Sequence, residues 1–139
     1  MKLIFDYNRT LFNPESGKVF PGVFGMLKKL SKKHDLILVT LNSPGRKNSA
    51  AIVDMQPYFS EVHFVERKTA KHFSELIIGE ETVIVIGDSL EGEIRAGIEL
   101  NLITIHIQSL REKCYYKTKR PTHSVTEVTR ILPIIENYE

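Results

Sequence analysis

The chain has 139 residues, of which 42% are hydrophobic and 26% are charged, and its formal net charge is +2. These values exclude an intrinsically disordered chain and predict one domain, spanning residues 1–139, with a single core. No apolar stretch reaches the roughly 18 residues of a membrane span, and the small net charge gives no argument for nucleic-acid binding. One cysteine, Cys114, cannot form an internal disulfide, and the N-terminus lacks a signal-peptide pattern, so we expect a cytoplasmic protein.

Apolar runs of strand length alternate along the chain with segments of helical period. The runs are rich in Ile, Val and Leu, which is typical of parallel strands buried on both faces. They are Lys2–Phe5, Leu36–Val39, Val62–Val65, Val83–Ile86 and Ile103–Ile107. Strands separated by helices form right-handed crossovers. The sequence therefore predicts an α/β fold, a doubly wound, Rossmann-like, five-stranded parallel sheet with helices on both faces.

Four helices are predicted between these strands and one near the C-terminus. Each of these segments carries apolar residues of helical period, which in the first segment fall three or four positions apart. These residues are Val23, Met26, Leu27 and Leu30; Ala50, Ile52, Val53 and Met55; Phe73, Leu76 and Ile77; Ile94, Gly97, Ile98 and Leu100; and Val125, Val128, Ile131 and Leu132. A hairpin is expected over Phe12–Phe20, and Pro133 is expected to break or kink the last helix.

Polar side chains recur where the predicted strands end. Asp6 follows the first strand, Thr40 ends the second, Lys68 lies just after the third and Asp88 follows the fourth. Each one alone is weak evidence, because aspartates often cap turns and threonine is a common strand residue. Parallel strands end at one edge of a sheet, where ligands of open α/β sheets bind. The four residues together predict a functional site at that edge.

The first two of these positions resemble motifs of the haloacid dehalogenase-like (HAD) hydrolase superfamily, and the resemblance extends over nearly the whole chain. The first motif of that family is an apolar strand ending in Asp-x-Asp-x-Thr. Asp6, Asn8 and Thr10 match it, with asparagine in place of the second aspartate. The second motif is a strand ending in Thr or Ser, which Leu36–Thr40 matches.

The third and fourth family motifs are also matched. A lysine before a helix is matched best by Lys68, with Lys71 as the less favoured candidate. An apolar strand leading to Gly-Asp-Ser and a further acid is matched by Val83–Ser89, and Glu93 replaces the usual aspartate. This last stretch is the most specific part of the resemblance.

The resemblance implies a Mg²⁺-dependent phosphatase or phosphotransferase. It makes Asp6 the nucleophile that forms an aspartyl-phosphate, which water then hydrolyses. The implied Mg²⁺ ligands are oxygens of Asp6, the backbone carbonyl of Asn8, Asp88 and Glu93, the last directly or through water. The bound ion would reduce the repulsion between the carboxylate and the phosphate.

The resemblance also assigns residues to the substrate. Thr40 would donate a hydrogen bond to a phosphoryl oxygen, and Lys68 would neutralise charge on the nucleophile and the phosphate. Asn42 is assigned to substrate binding with them, and Thr10 to supporting the loop from behind. The side-chain amide of Asn8 cannot act as the general acid and base, and such a loss typically costs about 10²–10⁴-fold. We therefore expect a weak enzyme, or one restricted to substrates whose leaving group is already a weak base.

The motif spacing leaves no room for the cap domain that many relatives carry. The interval from Thr10 to Thr40 holds one hairpin and one helix, and that from Thr40 to Lys68 holds one helix and one strand. Capless relatives tend to act on macromolecules or to oligomerise. The resemblance thus implies a phosphorylated small molecule or macromolecule as partner, and a homo-oligomer could cover the open site.

Other functions remain open at this stage. A receiver domain of two-component signalling fits poorly, because its phosphorylated aspartate ends the third strand, where this chain has Glu66-Arg67-Lys68. A dehalogenase does not need the second aspartate, but the Gly87-Asp88-Ser89 motif would then serve little purpose. The main alternative is a catalytically impaired HAD domain that binds a phosphorylated ligand or a protein partner. The basic stretch Arg111–Arg120 could bind a phosphate-rich polymer or form a solvated loop.

Overall fold

A computed structural model describes residues 1–79, 81–108 and 119–139 of the chain. The strands are β1 (Lys2–Phe5), β2 (Phe12–Asn13), β3 (Lys18–Val19), β4 (Asp35–Leu41), β5 (Glu61–Val65), β6 (Val83–Gly87), β7 (Ile103–Ile107) and β8 (His123–Val125). The α-helices are α1 (Val23–Ser31), α2 (Ala50–Met55), α3 (Ala70–Leu76), α4 (Glu93–Glu99) and α5 (Ile131–Glu136). Short 3-10 turns are formed by Arg46–Asn48, Gln56–Tyr58 and Val128–Arg130.

Six strands form one parallel sheet in the order β5-β4-β1-β6-β7-β8. The chain extends the sheet to one side of β1 through β4 and β5, and then to the other side through β6, β7 and β8. This reversal makes the sheet doubly wound, as predicted, and places the ends of β1, β4 and β6 side by side. Phe5 pairs with Leu38 on one side and with Ile86 on the other, so the residues just beyond them meet at one edge.

The sheet has one strand more than the five that the sequence predicts. The additional strand, β8, pairs with β7 in parallel through only three residues, His123–Val125. Two of these three residues are polar, so the segment lacks the apolar run by which the other strands were recognised. Its pairing depends on β7 rather than on local sequence.

Helices cover both faces of the sheet, as predicted. Alternate strand residues point to opposite faces. On one face Phe5 and its neighbours pack against Leu27 of α1 and Ile131 of α5. On the other face Ile4 and its neighbours pack against Phe73 of α3 and Ala96 of α4.

Two sequence-based expectations about the helices are corrected. Pro133 neither breaks nor ends the last helix, which runs over Ile131–Glu136. Pro133 is the third residue of α5, in the first turn, where the backbone N–H would have no partner within the helix. The segment around Val125 is strand β8 instead of the start of that helix.

Short elements fill the interval between β1 and α1 and the interval between β4 and β5. The interval between β1 and α1 contains the two-stranded hairpin β2–β3, as the turn around Gly17 predicts. The interval between β4 and β5 contains the turn Arg46–Asn48 and α2, whose first turn is capped by the Ser49 side chain. Within the described part of the chain, none of the helices has the length and apolar character needed to span a bilayer.

Candidate active site

A cavity of about 480 Å³ opens at the edge where β1, β4 and β6 end. Asp6 follows β1, Thr40 lies near the end of β4, and Asp88 follows β6. The cavity is lined by six of the predicted site residues, which are Asp6, Asn8, Thr40, Lys68, Asp88 and Glu93. The sheet topology therefore brings together side chains that are up to 87 positions apart in the sequence.

Three carboxylates form the floor of this site. Asp6, Asp88 and Glu93 each offer an oxygen, and these oxygens lie within 4.8 Å of one another. Asp6 is 4% exposed and Glu93 is 1% exposed. Three carboxylate oxygens at this spacing form a donor set suited to Mg²⁺, which prefers oxygen ligands. The residues therefore fit the predicted cation.

Lys68 joins this cluster as its cationic member. Its ammonium group donates hydrogen bonds to Oδ1 of Asp6 and, over 3.1 Å, to Oε2 of Glu93. Burial lowers the pKa of Lys68, but attraction to Asp6 and Glu93 outweighs this effect and raises the pKa. The ammonium group therefore stays protonated at neutral pH. Lys71, the other candidate, lies exposed on α3 and does not line the cavity.

Lys68 is held in place by the start of the next helix. Thr69, the N-cap of α3, accepts a hydrogen bond on its side chain from the backbone N–H of His72 over 3.2 Å. Such a cap fixes the backbone where the loop enters the helix. The lysine that precedes the cap is thereby directed back toward the end of β1.

Burial and mutual repulsion raise the pKa of two of the three carboxylates. Burial, a hydrogen bond to Asp6 and repulsion from Asp6 and Glu93 raise the pKa of Asp88 to about 9. Burial and repulsion from Asp6 raise the pKa of Glu93 to about 7, against the opposing effect of Lys68. Without a cation, the cluster therefore holds protons at neutral pH that a bound cation would displace.

The loop after β1 presents Asp6 and Asn8 to the cavity. Thr10, which is fully buried, donates a hydrogen bond from Oγ1 to Oδ2 of Asp6 over 3.0 Å. Arg9 has a positive φ of 61°, and the backbone N–H groups of Thr10 and Leu11 both donate to the carbonyl of Tyr7. This tight turn orients the Asp6 carboxylate from behind.

Glu93 reaches the cluster because Gly87 has no side chain. The Glu93 carboxylate accepts a hydrogen bond on Oε1 from the backbone N–H of Ser89 over 2.9 Å. A Cβ on Gly87 would lie 2.1 Å from that Oε1 and 2.4 Å from the Glu93 Cγ. The longer acid at position 93 and the glycine at position 87 are therefore sterically matched.

Gly87→Ala is expected to displace Glu93 and to lower the free energy of unfolding by about 1–3 kcal/mol, as overpacked cores do. Chemical denaturation measures this loss. Gly25→Ala is the matched control, because Gly25 lies inside α1 with no atom within 4 Å of its added Cβ. That variant should be unchanged or more stable by up to about 1 kcal/mol. Equal stabilities of the two variants would contradict the steric match.

Two contacts of the site were not predicted from the sequence. The buried His106 of β7 donates a hydrogen bond from Nε2 to the backbone carbonyl of Asp88 over 3.1 Å, which steadies the loop after β6. Arg46 lines the cavity and donates from Nη1 to Oγ1 of Thr40 over 2.6 Å and from Nη2 to Oγ of Ser43 over 3.4 Å. The Arg46 guanidinium also lies 5.3 Å from the centre of the Tyr7 ring.

Asn42 is the one predicted site residue that does not line the cavity. Its side chain is exposed, and its Nδ2 donates to Oε1 of Glu66 over 3.5 Å. The backbone N–H of Asn42 donates to the carbonyl of Val65, which continues the pairing of β4 with β5. The basic stretch Arg111–Arg120 lies mostly outside the described residues, as does Cys114.

Neither the family models nor the curated proteins that were searched contain a match to this sequence. Among solved structures, a protein from Bacillus subtilis described as the HAD-hydrolase YfnB, bound to magnesium, superposes with a TM-score of 0.72 at 21% identity. The match covers 87% of this chain and 58% of that one. A HAD phosphatase from Thermococcus onnurineus gives a TM-score of 0.70 at 16% identity, over 85% of this chain and 58% of that one.

A third structure matches over nearly its whole length. It is a HAD-superfamily hydrolase of subfamily IA from Geobacter sulfurreducens, with a TM-score of 0.73 at 11% identity, covering 96% of this chain and 98% of that one. The chain has a HAD-like fold. It spans a little over half the length of the Bacillus and Thermococcus proteins. At these identities the likeness concerns the HAD-like fold, and function must be argued from the site.

Proposed function

We propose that this HAD-like chain is a phosphatase or phosphotransferase in which Asp6 is the nucleophile. The observation that carries the proposal is the buried contact between Asp6 and Lys68, beside Asp88 and Glu93, at the carboxyl edge of the sheet. Asp6 would attack the phosphorus of a substrate, the bond to the leaving oxygen would break, and water would later hydrolyse the aspartyl-phosphate. Thr10 keeps the Asp6 carboxylate oriented for this attack.

The carboxylates Asp6, Asp88 and Glu93, with the backbone carbonyl of Asn8, would hold Mg²⁺. When bound, the ion supplies positive charge that offsets the repulsion between an anionic carboxylate and an anionic phosphate. Lys68 also supplies positive charge beside the carboxylates, through its contacts with Asp6 and Glu93. Thr40 would donate a hydrogen bond to a phosphoryl oxygen.

Asn8 limits which substrates such a site can turn over. Its side chain lines the cavity but cannot transfer a proton to a leaving alkoxide or take one from the attacking water. Acyl and aryl phosphates need this help least, because their leaving groups are weak bases. We therefore propose restricted activity toward phosphorylated small molecules or macromolecules, in a cytoplasmic core without a cap domain.

The second candidate function is a catalytically impaired HAD domain that binds a phosphorylated ligand or protein. Asn8 favours this second function. An asparagine in place of the motif's second aspartate would restrict turnover, while the residues that would bind the metal and the phosphate are retained. The two functions share Asp6, Lys68 and the carboxylate cluster. They differ in whether a bound phosphate ester is cleaved.

Hydrolysis of acetyl phosphate and p-nitrophenyl phosphate, with Mg²⁺ or with EDTA, distinguishes the two candidates. The enzyme proposal expects phosphate release that requires Mg²⁺ and is faster with acetyl phosphate than with glycerol 3-phosphate. Mg²⁺-dependent binding of these phosphorylated compounds without release of phosphate would favour the impaired domain. Release that is equal in EDTA would contradict the metal-dependent mechanism.

Asp88→Asn should have opposite effects on stability without and with Mg²⁺. The folded-state pKa of Asp88 is raised above its ordinary value of 3.8 to about 9, so its contribution to stability falls as pH rises through that range. In EDTA, the free energy of unfolding of the variant should therefore be roughly 1–2 kcal/mol higher than that of the wild type near pH 8. The difference should be smaller near pH 5.

Magnesium should reverse this order. At about 100 times its Kd, a ligand of the native state adds about 2.7 kcal/mol to the wild type, and the variant should lose most of that gain. Thermal unfolding in EDTA and in Mg²⁺, at both pH values, measures the difference. A wild type that is not stabilised by Mg²⁺ would contradict the metal site.

A further inference from the structure

Arg46 lines the cavity and brings a positive charge to its wall. Within the described residues, no carboxylate forms an ion pair with Arg46, whose contacts are the hydroxyls of Thr40 and Ser43 and the ring of Tyr7. The side chain is half-buried, and its turn is attached directly to the end of β4 through Ser43. A guanidinium held against an aromatic ring and two hydroxyls loses little further freedom when it binds an anion.

The hydrogen bond from Arg46 to Thr40 determines where the hydroxyl proton of Thr40 can point. A guanidinium only donates hydrogen bonds, so Oγ1 of Thr40 accepts from Arg46 at 2.6 Å. The hydroxyl proton of Thr40 is then left for another acceptor, and the described residues offer none. Thr40 is 1% exposed and lines the cavity, so the acceptor must lie in the cavity. Arg46 and Thr40 thus both offer hydrogen-bond donors to a ligand in the cavity.

The charge balance of the site indicates what these donors bind. With a divalent cation bound, the three carboxylates would be ionised, and the cation and Lys68 together would neutralise their three negative charges. A phosphoryl dianion would then need further positive charge. Arg46 supplies it from the cavity wall. Arg9 also lines the cavity, and its Nε lies 4.0 Å from the carboxylate of the exposed Glu15, whereas Arg46 forms no ion pair with a carboxylate among the described residues.

We propose that Arg46 is a second cationic ligand of the transferred phosphoryl group, in addition to Lys68, and that it selects ligands carrying a terminal phosphoryl dianion. This inference rests on the proposed function. In it, Arg46 contacts one phosphoryl oxygen and directs the Thr40 hydroxyl to another. A charge-assisted contact of this kind compensates in part for the acid–base help that Asn8 cannot give.

Fluoroberyllate, a phosphoryl mimic, is the probe, titrated with Mg²⁺ and followed by ¹⁹F NMR. Arg46→Gln should weaken its binding by about 10- to 100-fold, the loss of one or two hydrogen bonds to a charged group. Arg46→Lys should fall between the wild type and Arg46→Gln, because it keeps the charge and loses the planar fork. Arg130→Gln, at an exposed arginine remote from the cavity, is the matched control and should bind as the wild type does.

Chemical rescue separates binding from a structural role. Guanidinium ion at millimolar concentration should restore part of the fluoroberyllate affinity of Arg46→Ala and leave Arg130→Gln unchanged. Weak binding that guanidinium does not restore, with a lowered Tm, would overturn the inference in favour of a structural arginine. Wild-type affinity in Arg46→Gln would overturn it while leaving the proposed function intact. A wild type that does not bind the probe would remove both.

Discussion

Asp6→Asn is expected to lower the turnover of acetyl phosphate by about 10⁴-fold or more, which is the scale of losing a nucleophile. The amide oxygen of asparagine is uncharged and cannot form an acyl phosphate by displacement. Asparagine is similar in size to aspartate and still accepts the hydrogen bond from Thr10, so the fold should persist. Phosphate release measures the loss of activity, and circular dichroism verifies the fold.

Asp54→Asn is the matched control for this experiment. Asp54 is an exposed acid on α2 that does not line the cavity. The same chemical change there should leave turnover within about twofold, as surface substitutions usually do. Comparable turnover in the wild type and Asp6→Asn would show that another group attacks the substrate.

Asn8→Asp is expected to raise the turnover of an alkyl phosphate such as glycerol 3-phosphate by about 10²–10⁴-fold. The new carboxyl group would stand on the cavity wall and could protonate the leaving alkoxide, then take a proton from water. Acetyl phosphate needs no such protonation, so its turnover should rise much less. Steady-state rates on the two substrates measure the effect.

The ratio of the turnover rates on glycerol 3-phosphate and acetyl phosphate is an internal control, because changes in folding or expression affect both rates equally. Asn137→Asp, at an exposed position after α5, controls for the added negative charge and should leave both rates unchanged. If alkyl-phosphate turnover does not rise in Asn8→Asp, the missing acid is not what restricts the chemistry.

The parallel sheet could be predicted because its inner strands are buried on both faces. β1 and β7 begin and end at the predicted residues, and the apolar runs identify them without any tertiary information. β8 could not be predicted in this way, since its three residues include two polar side chains and it is defined by its partner. The effect of Pro133 was wrongly predicted for a related reason. Whether a proline interrupts a helix depends on where the helix begins, and α5 begins only two residues before Pro133.

The candidate site was predictable where it follows from strand order. Asp6, Thr40 and Asp88 end adjacent strands, and any doubly wound sheet brings such positions together. Arg46 was not predictable, because a lone arginine in a Ser-Pro-Gly loop has the pattern of a solvated charge. Its turn folds back over Tyr7, and this tertiary contact carries the guanidinium to Thr40.

The covalent step on Asp6 is tested most directly by trapping. The protein is mixed with acetyl phosphate and Mg²⁺, quenched, and treated with borohydride, which reduces an aspartyl-phosphate to homoserine. Peptide mass spectrometry then locates the modified residue. The mechanism predicts homoserine at position 6, dependent on Mg²⁺ and missing when the substrate is omitted. Steady phosphate release with an unmodified Asp6, or homoserine at a different aspartate, would contradict it.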